Sequence, residues 1–214
     1  MHRLCAVIPV RDQEFTITDV VTRLIVAGLD CVLVDDGDTP ECAEVLDRLT
    51  RQDRIFLARS RVRGDALLAG LREAQQLGYT HALHVAADGR NDLSDIPKFA
   101  RQSAAAPDAL ICGYRVTETP VPAVWRARDR AAWLLGSIST LSFALRDPNG
   151  TFRLYPLGPV LDLARDGRVG GWLRTDLAIL VRMRWRRRPM YWLPVAFRPT
   201  PGLPASPSTP LEHA

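Results

Sequence analysis

The stretch His81-Ala-Leu-His-Val-Ala-Ala-Asp-Gly-Arg-Asn-Asp92 decides how this chain is read. Ala82 to Ala87 is a short apolar run, and Asp88-Gly89-Arg90 follows it at once. That is the pattern of a buried strand delivering polar side chains to its carboxyl end. Ser94-Asp-Ile-Pro97 then opens a helix, with Ser94 as cap and proline in the first turn. In an open parallel α/β sheet, ligands bind in the crevice outside the carboxyl ends of the strands. Asp88 therefore marks a candidate site if the rest of the chain builds such a sheet.

Residues on both sides predict that it does. Leu4-Cys-Ala-Val-Ile-Pro-Val10 is a continuous apolar run and reads as a first, fully buried strand. Thr16 is placed to cap a helix whose Ile17, Val20, Val21, Leu24 and Ile25 follow helical spacing. Cys31 to Val34 is the second strand, ending in Asp35-Asp36-Gly37-Asp38. Thr39-Pro40 starts a second helix with Cys42, Val45, Leu46 and Leu49 on its buried face. Ile55 to Ala58 is a third strand. From Gly64 a helix presents Leu67, Leu71, Ala74 and Leu77 before stopping at Gly78. Ala109 to Cys112 is a fifth strand. Strand alternating with helix in this way predicts a parallel sheet with right-handed crossovers.

After Gly113 the texture changes. Thr117 to Pro122 reads as a loop and Ala123 to Leu145 as a long helix, basic at its start. Asp147-Pro-Asn-Gly150 turns the chain into a short antiparallel strand, Thr151 to Tyr155. Thr175 to Arg186 has helical spacing, and Tyr191 to Phe197 reads as the last strand. Pro199 to Ala214 holds five prolines and little apolar content, so it is expected to be a disordered tail.

Composition narrows the function classes. The chain has 214 residues, 47% hydrophobic and 24% charged, which suits one globular domain with a real core. The best membrane-span candidate, Ala131 to Leu145, is short and carries Ser137, Ser139, Thr140 and Ser142, so no span is expected. No signal-peptide pattern opens the chain, and the expected location is the cytoplasm. The four cysteines, Cys5, Cys31, Cys42 and Cys112, form no C-x-x-C pair and read as small core residues. His81 and His84 stand three apart on a strand, hence on opposite faces, and are not a metal pair.

The net charge of +4 gathers in Arg51–Arg63, Arg126–Arg130 and Arg182–Arg188. Such patches suit an anionic partner: a diphosphate, a lipid phosphate or a membrane surface. No nucleic-acid recognition module accompanies them. Around Arg182–Arg188, Tyr191 and Trp192 leave two readings open. One is a solvated helix end; the other is a contact with anionic headgroups on the inner face of a membrane.

Carboxylates recur where strands end: Asp12, then Asp35 and Asp36, then Asp88. The first strand runs into Arg11-Asp-Gln-Glu14 rather than G-x-G-x-x-G, and no Walker A loop is present. Dehydrogenases and P-loop enzymes are thereby disfavoured. Acidic side chains suit base and ribose, and reach diphosphate through a divalent metal.

These elements together resemble family 2 glycosyltransferases of the GT-A fold, nearest the dolichyl-phosphate mannosyltransferase-like branch, over roughly residues 4 to 198. The pattern viPvyNEe is met by Val7-Ile-Pro-Val-Arg-Asp-Gln-Glu14, and VDDGS by Val34-Asp-Asp-Gly-Asp38. KGxAl…G is met by Arg63-Gly-Asp-Ala-Leu67 with Gly70. DADGQHdp.DiP is met by Ala86 to Asp92 with Asp95-Ile-Pro97. The later D-x-x-x-G-f-R-l-y falls on Asp147 to Tyr155, and vPv on Leu193-Pro-Val195.

The resemblance implies a Rossmann-like, mostly parallel α/β sheet flanked by helices, with a helix and antiparallel strand on the acceptor side. Residues 1–198 would form one GT-A domain. Within it, 1–113 would be the nucleotide-binding half and 114–198 the acceptor half. The implied reaction is transfer of a sugar, with inversion, from a nucleotide-diphosphate donor to a lipid-phosphate, other lipid-linked or small hydroxyl acceptor. Pro9, Asp12 and Glu14 would lie near the nucleotide, Asp35 or Asp36 at the base, and Arg63 on the donor side. Asp88 would hold a Mg²⁺ or Mn²⁺ ion, and Arg153 would face the acceptor or the leaving diphosphate. Arg126, Arg130 and Asp147 fall on the acceptor side.

Departures from the family pattern are equally informative. Ala86 replaces the first acid of D-x-D, and Arg90 replaces a metal-ligating Gln. Metal dependence is expected to be weakened, with Arg90 supplying part of the missing positive charge. Asp176 is the nearest match to the family's later acidic pair, whose second member is Ala178. An ionised lipid phosphate needs no general base, so the missing acid favours that acceptor. A catalytically impaired member that binds a nucleotide or a protein is the alternative. A sugar nucleotidyltransferase is disfavoured, because no glycine-rich basic loop follows the first strand.

Overall fold

The structure is a computed structural model, and it describes residues 2–37, 39–60, 65–116, 133–134, 146–147, 150–165 and 175–196. Its elements run β1 (Leu4–Val10), α1 (Ile17–Val26), β2 (Asp30–Asp35), α2 (Pro40–Leu49), β3 (Ile55–Arg59), α3 (Ala66–Gln76) and β4 (His81–His84). A 3₁₀ turn (Leu93–Asp95) leads into α4 (Ile96–Ala105), followed by β5 (Leu110–Val116), β6 (Arg153–Pro156), α5 (Leu157–Arg165), α6 (Thr175–Trp185) and β7 (Met190–Ala196). The predicted loop after Val116, all but two residues of the predicted helix 123–145, and the proline-rich tail lie outside the described residues.

The strands form one seven-stranded sheet in the order β3-β2-β1-β4-β6-β5-β7. The first four pair in parallel, β6 is antiparallel to both β4 and β5, and β7 is parallel to β5. Every strand except β6 therefore points the same way. The expected fold class stands: a mostly parallel α/β sheet flanked by helices. Alternate strand residues face two cores. Val7, Val32, Ala82 and Cys112 pack with α3, α5 and α6 on one face. Ala6, Ile8, Leu33, Leu83 and Ile111 pack with α1, α2 and α4 on the other.

Local chemistry explains most boundaries, with some corrections. Thr39 caps α2 by accepting the Cys42 N–H at 3.4 Å, with Pro40 in the first turn. Thr16 sits at the cap of α1, but its hydroxyl makes no cap bond and donates to the Ala87 carbonyl at 2.7 Å. Asp92, not Ser94, caps the turn before α4, accepting the Ser94 N–H at 3.0 Å. β4 ends at His84, short of the expected Ala87. The Val85 N–H still bonds Val7, but the Ala86 N–H goes to Asn91 Oδ1 at 3.3 Å, so the chain leaves the ladder there. Sequence reading placed no element over α5. Its Leu157, Val160 and Leu161 do follow helical spacing and are buried, and Pro159 is tolerated in the first turn.

All four cysteines are free and buried. Burial pushes the Cys31 and Cys112 thiols up to about 12, so they stay protonated and inert. His81 is buried between Thr80 Oγ1 and the Pro107 carbonyl, and desolvation holds its imidazole below the ordinary value. Among the described residues no helix is long and apolar enough to cross a membrane.

Ion pairs fasten β5, β6 and α6 together. Arg115 grips Asp147 with its backbone N–H at 3.1 Å and with Nε and Nη2 at 2.8 and 2.9 Å. Arg153, on β6, is fully buried. It donates to the Asp147 carbonyl at 3.2 Å and the Asp176 carbonyl at 3.4 Å, and its Nη1 lies 3.9 Å from Asp176 Oδ2. Burial by itself would raise the Asp147 pKa. The Arg115 guanidinium, assisted by Arg153, outweighs it and holds the carboxyl below its ordinary range. Burial would likewise disfavour the Arg153 charge, but Tyr155 and Asp176 beside it more than compensate.

Two expectations follow from this packing. A Cβ at Gly70 would lie 2.4 Å from Val7 Cγ1 and 2.7 Å from Val34 Cγ2, because α3 rests directly on β1 and β2. Gly70→Ala should cost about 1–3 kcal/mol of stability in urea unfolding, despite the better helix propensity of alanine. Asp147→Asn should cost about 1–3 kcal/mol near neutral pH, since it takes the carboxylate from the half-buried Arg115 and leaves only the backbone carbonyl that Arg153 uses. The stability supplied by the lowered Asp147 pKa is present above the ordinary carboxylate range and lost as pH falls through the folded-state value. The gap between wild type and Asp147→Asn should therefore narrow below about pH 4 in acid-unfolding profiles.

Candidate functional site

Strand order reverses at β1: β2 and β3 lie on one side of it and β4 on the other. This is a topological switch point, so the crevice opens beyond the carboxyl ends of β1 and β4. The loops that border it are Arg11–Thr16 and Val85–Asp92. The Thr16 hydroxyl, bonded to the Ala87 carbonyl, ties one loop to the other.

On the β1 side, Asp12 holds a left-handed backbone with φ 55. Only a few non-glycine residues adopt that conformation, aspartate among them, and such strain gathers at functional turns. Asp12 Oδ1 accepts the Thr39 N–H at 3.0 Å, linking the loop to the start of α2. Arg11 ion-pairs with Asp36 at the end of β2, and its N–H is bonded to Gln13 Oε1. Asp35 Oδ1 accepts the Gly37 N–H at 2.9 Å, and its Oδ2 is 3.9 Å from Arg59 Nε. Glu14 is half-buried, with Oε2 shielded from solvent and no hydrogen-bond partner among the described residues. Pro9 lies within β1, half-buried, in register with Val34.

On the β4 side, Gly89 takes φ 73 and turns the chain back. Asp88 Oδ1 accepts the Arg90 N–H at 3.1 Å, and Oδ2 lies 3.6 Å from Arg90 Nε. The Arg90 side chain is only 4% exposed, against 15% for Asp88. The turn is also fastened to the far edge of the sheet. The Asp92 N–H donates to the Ala196 carbonyl at 3.4 Å, and the Ala196 N–H to Asp95 Oδ2 at 3.1 Å.

The structure thus gathers Asp12, Glu14, Asp35, Asp36, Asp88 and Arg90 along one sheet edge. It sets Asp147, Arg153 and Asp176 apart, in the buried ion-pair group beneath β5 and β6. Arg153, expected to face acceptor or diphosphate, is sealed from solvent. Asp176 is 5% exposed, and its Oδ1 accepts the Leu177 N–H at 3.0 Å. Arg63, Arg126 and Arg130 lie outside the described residues. Sequence reading did not single out Thr16, Arg11 or Arg115 as partners. Thr16 looked like an ordinary cap, and nothing local links Arg115 to a carboxylate 32 residues away.

A divalent cation fits these residues poorly. Among the described residues no three His, Cys, Asp or Glu side chains stand close enough to hold a metal ion between them. Ala86 offers no ligand, Asn91 Oδ1 is engaged with the Ala86 N–H, and both Asp88 oxygens face groups of Arg90. A guanidinium stands where a hard cation needs oxygen donors.

Comparison with known proteins places the fold. The model of glycosyl transferase family 2 matches residues 5–159. No curated protein sequence matches the chain. Glucosyl-3-phosphoglycerate synthase from Mycobacterium tuberculosis, in complex with UDP, superposes with a TM-score of 0.66 at 12% identity, over 95% of this chain and 73% of that one. The same synthase with Mn²⁺ and UDP-glucose gives 0.67 at 13% identity, over 95% and 72%. S. aureus TarS 1-349 in complex with UDP gives 0.57 at 14% identity, over 89% and 57%. At such identities the likeness is one of fold. The family match, covering most of the chain, goes further: this protein belongs to glycosyl transferase family 2.

Proposed function

We propose that this protein transfers a sugar, with inversion, from a nucleotide-diphosphate donor bound beyond the carboxyl ends of β1 and β4. The observation that carries the reading is the convergence of Asp12, Asp35, Asp36, Asp88 and Arg90 on the topological switch point of a family 2 sheet. In this reading the Asp35–Asp36 loop, steadied by Arg11, accepts hydrogen bonds from the base. Pro9, Asp12 and Glu14 border the ribose, and Arg63 adds charge on the donor side. The solved relatives with UDP or UDP-glucose make a nucleotide sugar the natural donor class to test.

The acceptor oxygen attacks the anomeric carbon from the face opposite the diphosphate, so one C–O bond forms as the other breaks. Negative charge then builds on the departing nucleoside diphosphate. Arg90 is the group placed to meet it, and Asp88 holds that guanidinium in position. A nearly dry guanidinium interacts more strongly with developing charge than one in water. Mg²⁺ or Mn²⁺ would then have a reduced role, with Asp88 the one carboxylate of this turn that could hold it.

On the acceptor side, Asp147, Arg153 and Asp176 act as a buried charge framework, and Arg126 and Arg130 supply positive charge. Asp176 lies against Arg153, which disfavours it as a proton acceptor. A polyprenyl phosphate or similar lipid-linked phosphate, already ionised, needs no base; this fits the dolichyl-phosphate mannosyltransferase-like branch. A small hydroxyl acceptor is the other class to assay. The absence of a second acid at Ala86 favours one rival: a family member that binds nucleotide or protein without turning donor over.

Donor binding tests the reading. A thermal-shift screen across UDP- and GDP-sugars should identify a donor that still stabilises the protein in EDTA. Arg90→Met should weaken that donor about ten- to hundred-fold, and Arg90→Lys less. Binding that strictly requires Mn²⁺, or survives Arg90→Met and Asp88→Ala unchanged, would overturn the assignment. Release of UDP or GDP from the donor separates the transferase from the silent binder.

A further inference from the structure

Helices α1 and α2 both follow a threonine, but the two side chains behave differently. Thr39 has the extended backbone of a cap, with φ -63 and ψ 156, and its hydroxyl accepts the Cys42 N–H. Thr16 has φ -112 and ψ -27, already close to helical, and makes no side-chain cap bond. Its backbone is held by the loop behind it. The Gln13 carbonyl accepts the Thr16 N–H at 3.1 Å and the Ile17 N–H at 3.0 Å. From that fixed point the hydroxyl reaches across the crevice and donates to the Ala87 carbonyl at 2.7 Å.

That bond meets the β4 turn where the sheet no longer supports it. The chain has left the ladder at Ala86, and Ala87 is 3% exposed, so its carbonyl depends on the protein for a partner. The next residue is Asp88, which accepts the Arg90 N–H and lies against the Arg90 guanidinium. A second contact follows one helical turn along. A Cβ at Gly89 would stand 3.7 Å from Val20 Cγ2, and Val20 lies four residues after Thr16, on the same face of α1. The turn from Ala87 to Gly89 therefore runs along the opening of α1. Apolar contact alone lets such a turn slide. A short hydrogen bond from a β-branched side chain, stiff at χ1, fixes it at a point.

We propose that Thr16 is a positioning residue for the donor diphosphate: its hydroxyl, through the Ala87 carbonyl, fixes the Asp88–Arg90 turn relative to the loop after β1. This rests on the reading of Arg90 as the group that meets the diphosphate. The two loops then hold one ligand at a set spacing, its nucleoside against the β1 loop and its diphosphate against the β4 turn. Precision matters there, because a misplacement of about 1 Å costs up to about a hundred-fold in rate. Thr16 acts through the turn and not on the reacting atoms.

Hydrogen exchange and donor binding, both on the full chain, test the proposal. Thr16→Val keeps the side chain's shape and removes its hydroxyl. Amides from Val85 to Asp92 should then exchange about five- to ten-fold faster, and Thr16→Ser should restore most of the protection. The UDP- or GDP-sugar that stabilises the wild type should bind Thr16→Val about five- to ten-fold more weakly. In an Arg90→Met background the same substitution should matter less than about two-fold, because the side chain it positions is gone. Ser103→Ala controls for general loosening. It removes a buried hydroxyl that meets His2 Nε2 at 2.6 Å at the other end of the sheet, and should move neither readout. Unchanged exchange in Thr16→Val, or an equal change in Ser103→Ala, would overturn the proposal. So would equal losses of donor affinity in the wild-type and Arg90→Met backgrounds. A wild type that binds no nucleotide sugar removes the donor reading and this role with it, whereas donor binding without the exchange effect or the coupling removes this role alone.

Discussion

The second half of the sheet depends on keeping one guanidinium in the dark. Arg153 has no exposed surface, and it sits on β6, the strand that runs against all the others between β4 and β5. A buried cation is tolerable only when anions and carbonyl groups surround it. Those groups come from two places: the Asp147 carbonyl, and the Asp176 backbone and carboxylate. Satisfying Arg153 therefore fixes the turn before β6 and the start of α6 at once. Arg115 adds β5 through Asp147. Gly150 belongs to the same constraint, because a Cβ there would stand 3.1 Å from Asp147 Oδ2 and from the Gly113 carbonyl.

That constraint explains what the sequence could and could not reveal. The alternation of strands and helices up to Cys112 was legible because each element declares itself locally. Strands show apolar runs, helices show spaced apolar faces, and Gly28 and Gly78 stop the helices with positive φ. The insertion of β6 between β4 and β5 was not legible, since it joins residues far apart in the chain. Nor was the depth of Arg153, whose partners are spread over Asp147 to Asp176. α6 was legible as a helix from its spacing over Thr175 to Arg186, but its orientation was not. It is buried almost all round from Thr175 to Met183, so no single apolar face marks its orientation.

The candidate site shows the same division. Asp12, Asp35, Asp36 and Asp88 could be picked out because each ends or follows a strand. The bonds between them could not, because they form only when loops from different strands meet. Thr16 is the clearest case. Sequence offers it as a cap for α1, yet its hydroxyl serves the Ala87 carbonyl across the crevice, and the first turn of α1 goes without a side-chain cap. A cap of that kind is worth about 1 kcal/mol, which is the order of local stability given up to hold the two loops together.

Asp12 and Arg90 then describe one kind of site. A left-handed aspartate on one loop and a nearly dry guanidinium on the other are both unfavourable in isolation. Each persists because its neighbours leave no alternative: the Thr39 N–H holds Asp12, and Asp88 holds Arg90. Both sides of the crevice carry an ion pair, Arg11 with Asp36 on one and Arg90 with Asp88 on the other. A metal-centred site would need Asp88 to turn away from Arg90, leaving a buried guanidinium without its carboxylate. That cost falls on the metal-bound state and not on one in which phosphate oxygens approach Arg90 directly. Under the proposed function, the turn therefore meets phosphate oxygens through Arg90 at the point where β4 gives out.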